Sequence, residues 1–296
     1  MPGRVGMVGL GLMGQAFSAN LLKAGFEVQG FDVDSRRMDE LKRRGGKPAD
    51  SPAAAVRGVR WMITSLPTIE IVRQAVLGPG GVAEGAEKGL LLADTTTARP
   101  EDSAALAAEL TARGIRFMDA SVSGTSTMAW EKDLIVVAGG KEEDFDALEP
   151  LFAGFSKGAY YLGAHGSGAR AKLIINLVLL GNRLALAEGL TLGMKADMKM
   201  ETLLTVLKEG AAGSKAMDQK GEKMLKAEYS PESRLTTSYK DVGLMLEQGR
   251  RLNSPLFVTS LYAQLAQMGV AKGYADSDPA CIIELMREMA GLPRRK

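Results

Sequence analysis

The chain has 296 residues, enough for two domains, and its 46% apolar and 24% charged residues are typical of a soluble globular protein. Its net charge of +2 argues against a nucleic-acid partner, because nucleic-acid-binding surfaces are usually strongly basic. A single histidine, His165, and a single cysteine, Cys281, cannot supply the usual zinc ligand sets, so no metal site is predicted.

The first half of the chain alternates short apolar runs with helix-like segments. The segments predict helices at residues 13–24, 70–77, 100–113 and 142–152, and a charged helix that ends near residue 44. The alternation is typical of an α/β fold with a mostly parallel, doubly wound sheet of the Rossmann type. The apolar runs predict its strands at residues 4–9, 27–32, 61–65, 90–94, 116–119, 134–138 and 159–162.

The second half, beyond Gly168, has no strand-like punctuation. Helices are predicted at residues 169–194, 201–208, 214–225, 238–252, 256–268 and 279–289. Because the glycine-rich stretch 162–168 separates the two patterns, we expect a Rossmann-type domain over residues 1–162 and an all-α C-terminal domain over residues 163–296. The basic tail 293–296 is expected to fray.

No secretory or membrane segment is predicted. The N-terminal apolar run is broken by glycine at every second or third position, unlike the continuous core of a signal peptide. The most apolar later stretch, 173–180, is too short to span a bilayer. Because the lone Cys281 also cannot form an intramolecular disulfide, these features favour a cytoplasmic protein with no membrane partner.

A G-x-G-x-x-G turn follows the first predicted strand and opens the first predicted helix. Gly9 permits a tight turn there, Gly11 lets a pyrophosphate approach the backbone, and Gly14 allows close packing of helix on strand. The helix N-terminus adds free N–H groups and the positive end of its dipole. The turn therefore predicts a dinucleotide site, the alternative being a glycine-rich turn without a ligand. Its residues are Gly9, Leu10, Gly11, Leu12, Met13 and Gly14.

Asp32 ends the second predicted strand, eighteen positions after Gly14, where an acidic residue would bind the ribose hydroxyls of NAD. The carboxylate of Asp32 would repel the 2′-phosphate of NADP. This repulsion would weaken NADP binding by about 4 kcal/mol per unit charge before screening by solvent and salt. Val33 follows, in place of a phosphate-binding arginine. We therefore expect NAD rather than NADP, although Arg36 and Arg37 on the next helix leave some use of NADP open.

The start of the long predicted helix carries a candidate for proton transfer. Lys172 and Asn176 are four residues apart and so project from one face of that helix. A lysine beside a carbonyl can stabilise developing alkoxide charge and exchange a proton with the oxygen. The alternatives are a solvated surface lysine, an asparagine bonded to backbone, and His165 as the general base.

Four motifs, in order over nearly the whole chain, resemble the β-hydroxyacid dehydrogenase family, which includes 3-hydroxyisobutyrate dehydrogenase and tartronate semialdehyde reductase. Each motif alone is unspecific, whereas the four together at family spacing are specific. They are Val8-Gly-Leu-Gly-Leu-Met-Gly14 with Asn20-Leu-Leu-Lys-Ala-Gly25, Asp119-Ala-Ser-Val-Ser-Gly124, Gly166-Ser-Gly-Ala-Arg-Ala-Lys172 with Asn176, and Lys240-Asp241.

The resemblance implies an oxidoreductase that moves a hydride between NAD and a small β-hydroxy acid or semialdehyde acid. Lys172 matches the catalytic lysine of the family, and Asn176 matches the amide that orients the substrate. Family members commonly form homodimers or homotetramers through the α-domain. The remaining matches are Leu66 and Pro67 in the loop over the cofactor, Thr96 beside the nicotinamide, Ser123 and Gly124 at the substrate carboxylate, and Lys240 at both cofactor and substrate. Thr125, the next residue in the loop, is also expected to bind the substrate.

The chain departs from the family pattern in and just after the substrate loop. Relatives usually have proline where this chain has Ser121, and glycine where it has Thr125 and Lys132. Thr125 narrows the loop and adds a hydroxyl. Lys132 adds a charge, at a solvated loop tip rather than at a ligand contact. These changes leave the chemistry intact and the identity of the substrate open.

Two other functions share parts of this pattern. An imine reductase would have the same fold without the lysine. A catalytically silent NAD(P)-binding protein would have the fold without turnover. Lys172 argues against the imine reductase, and Lys172, Asn176 and Lys240 together argue against the silent binding protein.

Overall fold

The computed structural model describes residues 3–293. The chain divides between Lys172 and Leu173 into two compact units. The fraying predicted for the basic tail concerns mainly residues 294–296, which lie outside the described residues.

One sheet of eight strands forms the first unit, in the order β3-β2-β1-β4-β5-β6-β7-β8. Neighbouring strands are parallel, except that β6 and β7 are antiparallel. The doubly wound Rossmann-type prediction is thereby confirmed, and the direction of winding reverses at β1, where such sheets bind ligands. The strands are β1 Arg4–Val8, β2 Glu27–Phe31, β3 Lys47–Pro48, β4 Trp61–Thr64, β5 Leu91–Asp94, β6 Arg116–Ser123, β7 Ile135–Gly139 and β8 Gly158–Tyr161.

Helices follow most of these strands and cover both faces of the sheet. Alternate strand residues enter different apolar clusters: Met62 and Leu92 belong to one cluster, and Ile63 and Ala93 to the other. This period of two is what a sheet covered on both faces requires. The helices are α1 Leu12–Lys23, α2 Ser35–Arg43, α3 Pro52–Ala55, α4 Ile69–Leu77, α5 Val82–Gly85, α6 Pro100–Thr111, α7 Ser126–Trp130 and α8 Glu142–Phe155.

The second unit contains helices joined by loops, with no strand among its described residues, as predicted. Its longest helix, α9, begins in the first unit and runs over 29 residues. The helices are α9 Ser167–Lys195, α10 Met200–Glu209, α11 Lys215–Lys226, α12 Leu235–Arg251, α13 Phe257–Ala271 and α14 Ile282–Met289, with a 3₁₀ turn at Pro279–Cys281.

Helix α9 is longer than the apolar stretch 173–180 suggested. By length and composition it could cross a membrane, and 39% of its most apolar window is buried. The shortness of residues 173–180 is therefore no evidence against a membrane span by the whole of α9. However, Leu180, Leu184 and Leu190 of α9 pack into the apolar core of the second unit, as the central helix of a globular domain does.

Candidate active site

The predicted dinucleotide turn joins the end of β1 to the start of α1. Gly9 has a φ of +92°, a left-handed conformation that favours glycine. A Cβ on Gly14 would lie 2.0 Å from the carbonyl oxygen of Gly9, so the close packing of α1 on the turn requires glycine. Gly11 is the N-cap of α1, and no described side chain caps this end. The first amides of α1 can therefore bind an anion.

Asp32 follows β2 directly and is only 6% exposed. Its Oδ2 accepts a hydrogen bond from the amide of Leu10 at 2.7 Å, and its Oδ1 accepts one from the amide of Asp34 at 2.9 Å. Arg37 also donates to Oδ2, at 3.2 Å. The carboxylate is thus fixed beside the glycine turn, and Arg37 balances part of its charge.

Leu66 and Thr96 come from the loops after β4 and β5 and meet beside the same turn. The amide of Leu66 donates to Thr96 Oγ1 at 3.3 Å, and a Cβ on Gly9 would lie 2.9 Å from Leu66 Cδ2. Thr96 is buried, whereas Pro67 is exposed. These predicted cofactor residues therefore converge with the turn at the carboxyl edge of the sheet.

Asp94, at the end of β5, orients Thr96 and has no role in the sequence prediction. Its Oδ1 accepts hydrogen bonds from the hydroxyl of Thr64 at 2.8 Å and from the amide of Thr96 at 3.2 Å. Burial raises the pKa of Asp94 to about 6, against the lowering effect of these hydrogen bonds. An acidic residue that ends the apolar run Leu90-Leu-Leu-Ala-Asp94 is the signal that could have indicated its role.

The substrate loop begins later than predicted. β6 continues to Ser123, so Ser121 lies inside the strand, paired with Val137 of β7 and 1% exposed. The predicted end at Asp119 is therefore wrong, because pairing with an antiparallel neighbour extends the strand and a local pattern cannot reveal that neighbour. Beyond the strand, Thr125 caps α7 by accepting a hydrogen bond from the amide of Met128 at 3.3 Å.

Lys132 lies in the turn after α7, and its ammonium binds a backbone carbonyl group. Its φ is +60°, a left-handed conformation that favours glycine. Its Nζ donates a hydrogen bond to the carbonyl oxygen of Ala153 at 2.7 Å, near the C-terminal end of α8. Lys132 is therefore an exposed residue of the turn whose ammonium binds the end of α8.

The short helix α7 packs on α1, which carries the first family motif. The buried side chain of Asn20 donates a hydrogen bond to the carbonyl oxygen of Ala129 at 2.7 Å. Trp130, at the end of α7, lies under the guanidinium of Arg44 at 4.8 Å from its ring centroid. These contacts hold the predicted substrate loop next to the helix that follows the glycine turn.

Lys172 and Asn176 are both half-buried and lie one turn apart in α9, as predicted. In the second unit, Asn176 Nδ2 donates to Asp241 Oδ2 at 3.1 Å, and Lys240 Nζ lies 3.2 Å from Asp241 Oδ1. Asp241, 8% exposed, therefore joins two predicted site residues in one cluster. Asp241 belongs to the fourth family motif, which predicts no role for it.

His165, the alternative general base, has a backbone partner. Its Nε2 lies 3.0 Å from the carbonyl oxygen of Phe117, in the middle of the sheet. Across residues 3–293, no group of three or more histidine, cysteine, aspartate or glutamate side chains is placed to hold a metal ion.

The residues at the carboxyl edge of the first unit fit a dinucleotide. The uncapped start of α1 suits a pyrophosphate, and the carboxylate of Asp32 suits a ribose diol. Leu12 and Val33 are 68% and 93% exposed beside these two groups, and apolar side chains in such positions suit the flat face of an adenine.

Two family descriptions match consecutive parts of the chain. The NAD binding domain of 6-phosphogluconate dehydrogenase matches residues 4–163, and the NAD-binding domain of NADP-dependent 3-hydroxyisobutyrate dehydrogenase matches residues 166–286. The chain therefore carries NAD(P)-binding domains.

Several characterised relatives align over nearly their full length. The 2-(hydroxymethyl)glutarate dehydrogenase of Eubacterium barkeri is 30% identical, with 98% of this chain and 96% of that protein covered. The glyoxylate/succinic semialdehyde reductase 1 of Arabidopsis thaliana is 32% identical, with 96% and 98% covered. The 3-sulfolactaldehyde reductase of Escherichia coli K12 is 29% identical, with 97% of each chain covered.

Solved structures agree in fold. The 3-hydroxyisobutyrate dehydrogenase of Salmonella typhimurium superimposes with a TM-score of 0.87 at 26% identity, covering 95% of this chain and 99% of that one. An imine reductase from Pseudomonas sp. gives a TM-score of 0.63 at 17% identity, covering 96% and 99%, which shows a shared fold alone. With the family description matched over more than half of its length, this chain belongs to the β-hydroxyacid dehydrogenase family of oxidoreductases.

Proposed function

We propose that this protein transfers a hydride between NAD and a small β-hydroxy acid or the matching semialdehyde acid, with Lys172 as the general acid–base. The observation that carries the proposal is the 2.7 Å hydrogen bond from the amide of Leu10 to Asp32. This hydrogen bond holds the proposed pyrophosphate-binding turn next to the proposed ribose-binding carboxylate. The same chain carries Lys172 and Asn176, which match the lysine and asparagine of the family.

NAD is the proposed coenzyme. Asp32 lies where the ribose 2′-hydroxyl would bind, and a 2′-phosphate there would face its negative charge. Arg37 offsets part of this repulsion through its contact with Asp32, so NADP is the weaker ligand rather than an excluded one. The turn residues 9–14, Leu66, Pro67, Thr96 and Lys240 complete the proposed coenzyme contacts.

Lys172 would exchange the proton of the substrate oxygen. When bound, the nicotinamide supplies or accepts the hydride. As semialdehyde is reduced, the ammonium of Lys172 would donate a proton to the carbonyl oxygen, and in the reverse direction the neutral amine would accept the proton of the hydroxyl. Asn176, held by Asp241, would orient the same oxygen.

The substrate is proposed to be a short acid with a free carboxylate or similar anionic group. Ser123 and Gly124 would bind that group through a hydroxyl and a backbone amide, and Thr125 would shape the loop as the cap of α7. The relatives named above act, by their names, on hydroxymethylglutarate, glyoxylate, succinic semialdehyde and 3-sulfolactaldehyde. All are small acids that carry an aldehyde or a hydroxyl group.

A substrate panel tests the proposal. NADH and NADPH oxidation would be followed by absorbance with glyoxylate, succinic semialdehyde and 3-sulfolactaldehyde, and NAD reduction with 3-hydroxyisobutyrate, L-serine and 2-(hydroxymethyl)glutarate. We expect turnover of at least one acid with a lower KM for NAD(H). Reduction of a cyclic imine without turnover of any acid would instead assign an imine reductase, and binding of NADH without any turnover would assign a silent binding protein.

We also propose that the protein is a homo-oligomer that associates through its helical unit. Phe257 and Leu261, one turn apart on α13, are 83% and 54% exposed, and Val258 beside them is 50% exposed. Val258 Cγ1 lies 3.7 Å from the Cβ position of Gly181 on α9, so this apolar surface reaches a second helix. Contiguous apolar surface of this kind is typical of subunit interfaces.

A cytoplasmic location is proposed with this function. Arg183 of α9 is buried and donates a hydrogen bond to the hydroxyl of Tyr262 at 3.0 Å, as expected of a helix inside a soluble domain. Recovery of the protein in the soluble fraction after cell breakage, without detergent, is the expected outcome, and recovery with membranes would contradict it.

A further inference from the structure

Asp119 is a buried carboxylate that binds the start of helix α9 from a distant strand. It lies in β6, is 2% exposed, and accepts a hydrogen bond at Oδ1 from the amide of Gly166 at 2.8 Å. Its Oδ2 accepts a second hydrogen bond from the amide of Ala169 at 2.9 Å. Both donors belong to the entry of α9 or its first turn, where backbone amides have no partner within the helix.

The same part of α9 packs directly on backbone. A Cβ on Gly168 would lie 2.4 Å from the carbonyl oxygen of Asp119 and 2.6 Å from that of Val137. A Cβ on Gly139 would lie 2.7 Å from the amide nitrogen of Gly168. Because no side chains separate helix from sheet here, the first turn of α9 has little freedom to shift along β6 and β7.

Strand β6 therefore fixes two parts of the proposed chemistry. Four residues beyond Asp119 it ends at Ser123, the proposed substrate-binding residue. Three residues beyond Ala169, on the same rigid helix, lies Lys172. A helix rises about 1.5 Å per residue, so a contact at Ala169 sets the height of Lys172 within the next turn.

We propose that Asp119 is a positioning residue for Lys172: by holding the first turn of α9 on β6, it sets the distance between the proton-transferring lysine and the substrate. This inference rests on the proposed role of Lys172. Asp119 itself would touch neither substrate nor coenzyme. Its carboxylate is suited to the task because a charged acceptor binds two amides more tightly than a neutral side chain would.

A double-mutant cycle tests whether Asp119 acts through Lys172. Asp119→Asn keeps the size of the side chain and removes one of its two acceptor oxygens. In the wild-type background we expect kcat to fall about tenfold to a hundredfold, since displacement of a catalytic group by about 1 Å has effects of that size. In the Lys172→Ala background the same change should alter kcat less than threefold, because the group to be positioned is absent.

Coenzyme binding and a matched variant separate positioning from general damage. The Kd for NADH, measured by fluorescence, should stay within about twofold in Asp119→Asn, because the glycine turn and Asp32 are untouched. Asp144→Asn is the control, since Asp144 is equally buried in the first unit and pairs with Arg116. It should lower the urea midpoint while leaving kcat of the folded enzyme unchanged.

The outcomes distinguish this inference from the proposed function. The assays would use NADH with whichever aldehyde acid of the panel the wild type reduces fastest. If Lys172→Ala retains wild-type activity, the proposed function itself fails. If Lys172→Ala is impaired but Asp119→Asn lowers kcat equally in both backgrounds, or lowers it no more than Asp144→Asn does, the positioning role of Asp119 is overturned and that of Lys172 stands.

Discussion

Individual buried carboxylates organise the first unit. Asp94 and Asp119 are register partners on β5 and β6, and both are almost fully buried. Burial raises the pKa of each to about 6, and each is held by backbone amides of a segment with a proposed function. Because a buried charge is costly unless it is hydrogen-bonded, such residues tend to be retained for what they orient.

Removal of the ammonium of Lys172 should abolish most of the turnover. We expect Lys172→Ala to lower kcat by about two to four orders of magnitude, as for loss of a general acid–base group, with the Kd of NADH unchanged. Steady-state kinetics and NADH fluorescence would measure both. Lys195→Ala, at the exposed end of the same helix, is the control. An active Lys172→Ala enzyme would refute the mechanism.

The preference for NAD should depend on Asp32. Asp32→Ala removes the acceptor for the ribose hydroxyls and the repulsion of a 2′-phosphate, so the Kd for NADH should rise about tenfold and the ratio of affinities should shift toward NADPH by about fivefold or more. Fluorescence titration would give both constants. Asp39→Ala, exposed on α2, should change neither. A wild-type enzyme that prefers NADPH would contradict the role given to Asp32.

The buried carboxyl of Asp94 should make stability depend on pH. Its pKa is about 6 in the folded protein, against an ordinary value of 3.8 that we take for the unfolded chain. Between pH 3.8 and about pH 6 the carboxyl is therefore protonated in the folded protein and ionised in the unfolded chain. Its stabilising contribution is therefore complete below about pH 4 and is lost as the pH rises through about 6, an effect of about 3 kcal/mol at most.

Asp94→Asn isolates this contribution. The amide carries a constant cost for its unpaired N–H groups, so the informative quantity is the difference in urea midpoint between variant and wild type as a function of pH. We expect that difference to move in favour of the variant between pH 5 and pH 7.5. A difference that stays constant over this range would show that Asp94 titrates as an ordinary aspartate.

At the scale of elements, close contact between backbones explains the glycine positions. The turn between β1 and α1, and the contact of α9 with β6, both bring backbone atoms where a Cβ would overlap them. At both places a helix meets the sheet beside proposed site residues. Other glycines, such as Gly243 on α12, have open space around the Cβ position.

Two alanine substitutions test this distinction. Gly14→Ala places a Cβ against the carbonyl oxygen of Gly9, so we expect a lower melting temperature and at least tenfold weaker binding of NADH. Gly243→Ala should instead stabilise the protein by about 0.5–1 kcal/mol, since alanine is the better helix former and meets no neighbour. Calorimetry and fluorescence titration would measure both, and equal effects of the two variants would contradict the packing argument.

The exposed apolar surface of α13 is the proposed interface with another copy of this chain. We expect the wild type to elute at a multiple of its mass of 31.4 kDa, and Phe257→Asp combined with Leu261→Asp to shift it to a smaller species. Size-exclusion chromatography with light scattering would measure the masses. Gln267→Glu, at an exposed polar position of α13, is the control. A monomeric wild type would rule out the proposed association.

The amino-acid sequence alone determined the fold class, most helices and strands, and the glycine turn proposed to bind the coenzyme. These depend on local patterns: the period of apolar residues, the glycine spacing from Gly9 to Gly14, and Asp32 at a strand end. It also placed Lys172 and Asn176 on one helix face, which follows from helical geometry, and the family resemblance suggested the chemistry proposed for them.

Tertiary structure decided what depends on neighbours that are distant in sequence. The antiparallel pairing with β7 extended β6 to Ser123, and the short helix α7 packs on α1. The hydrogen-bond partners of Asp119 and Asp241 likewise emerged only in three dimensions. A carboxylate fixes a backbone segment only when it is buried and when amides of that segment donate hydrogen bonds to it. Both conditions depend on residues distant in sequence, so no local pattern predicts them.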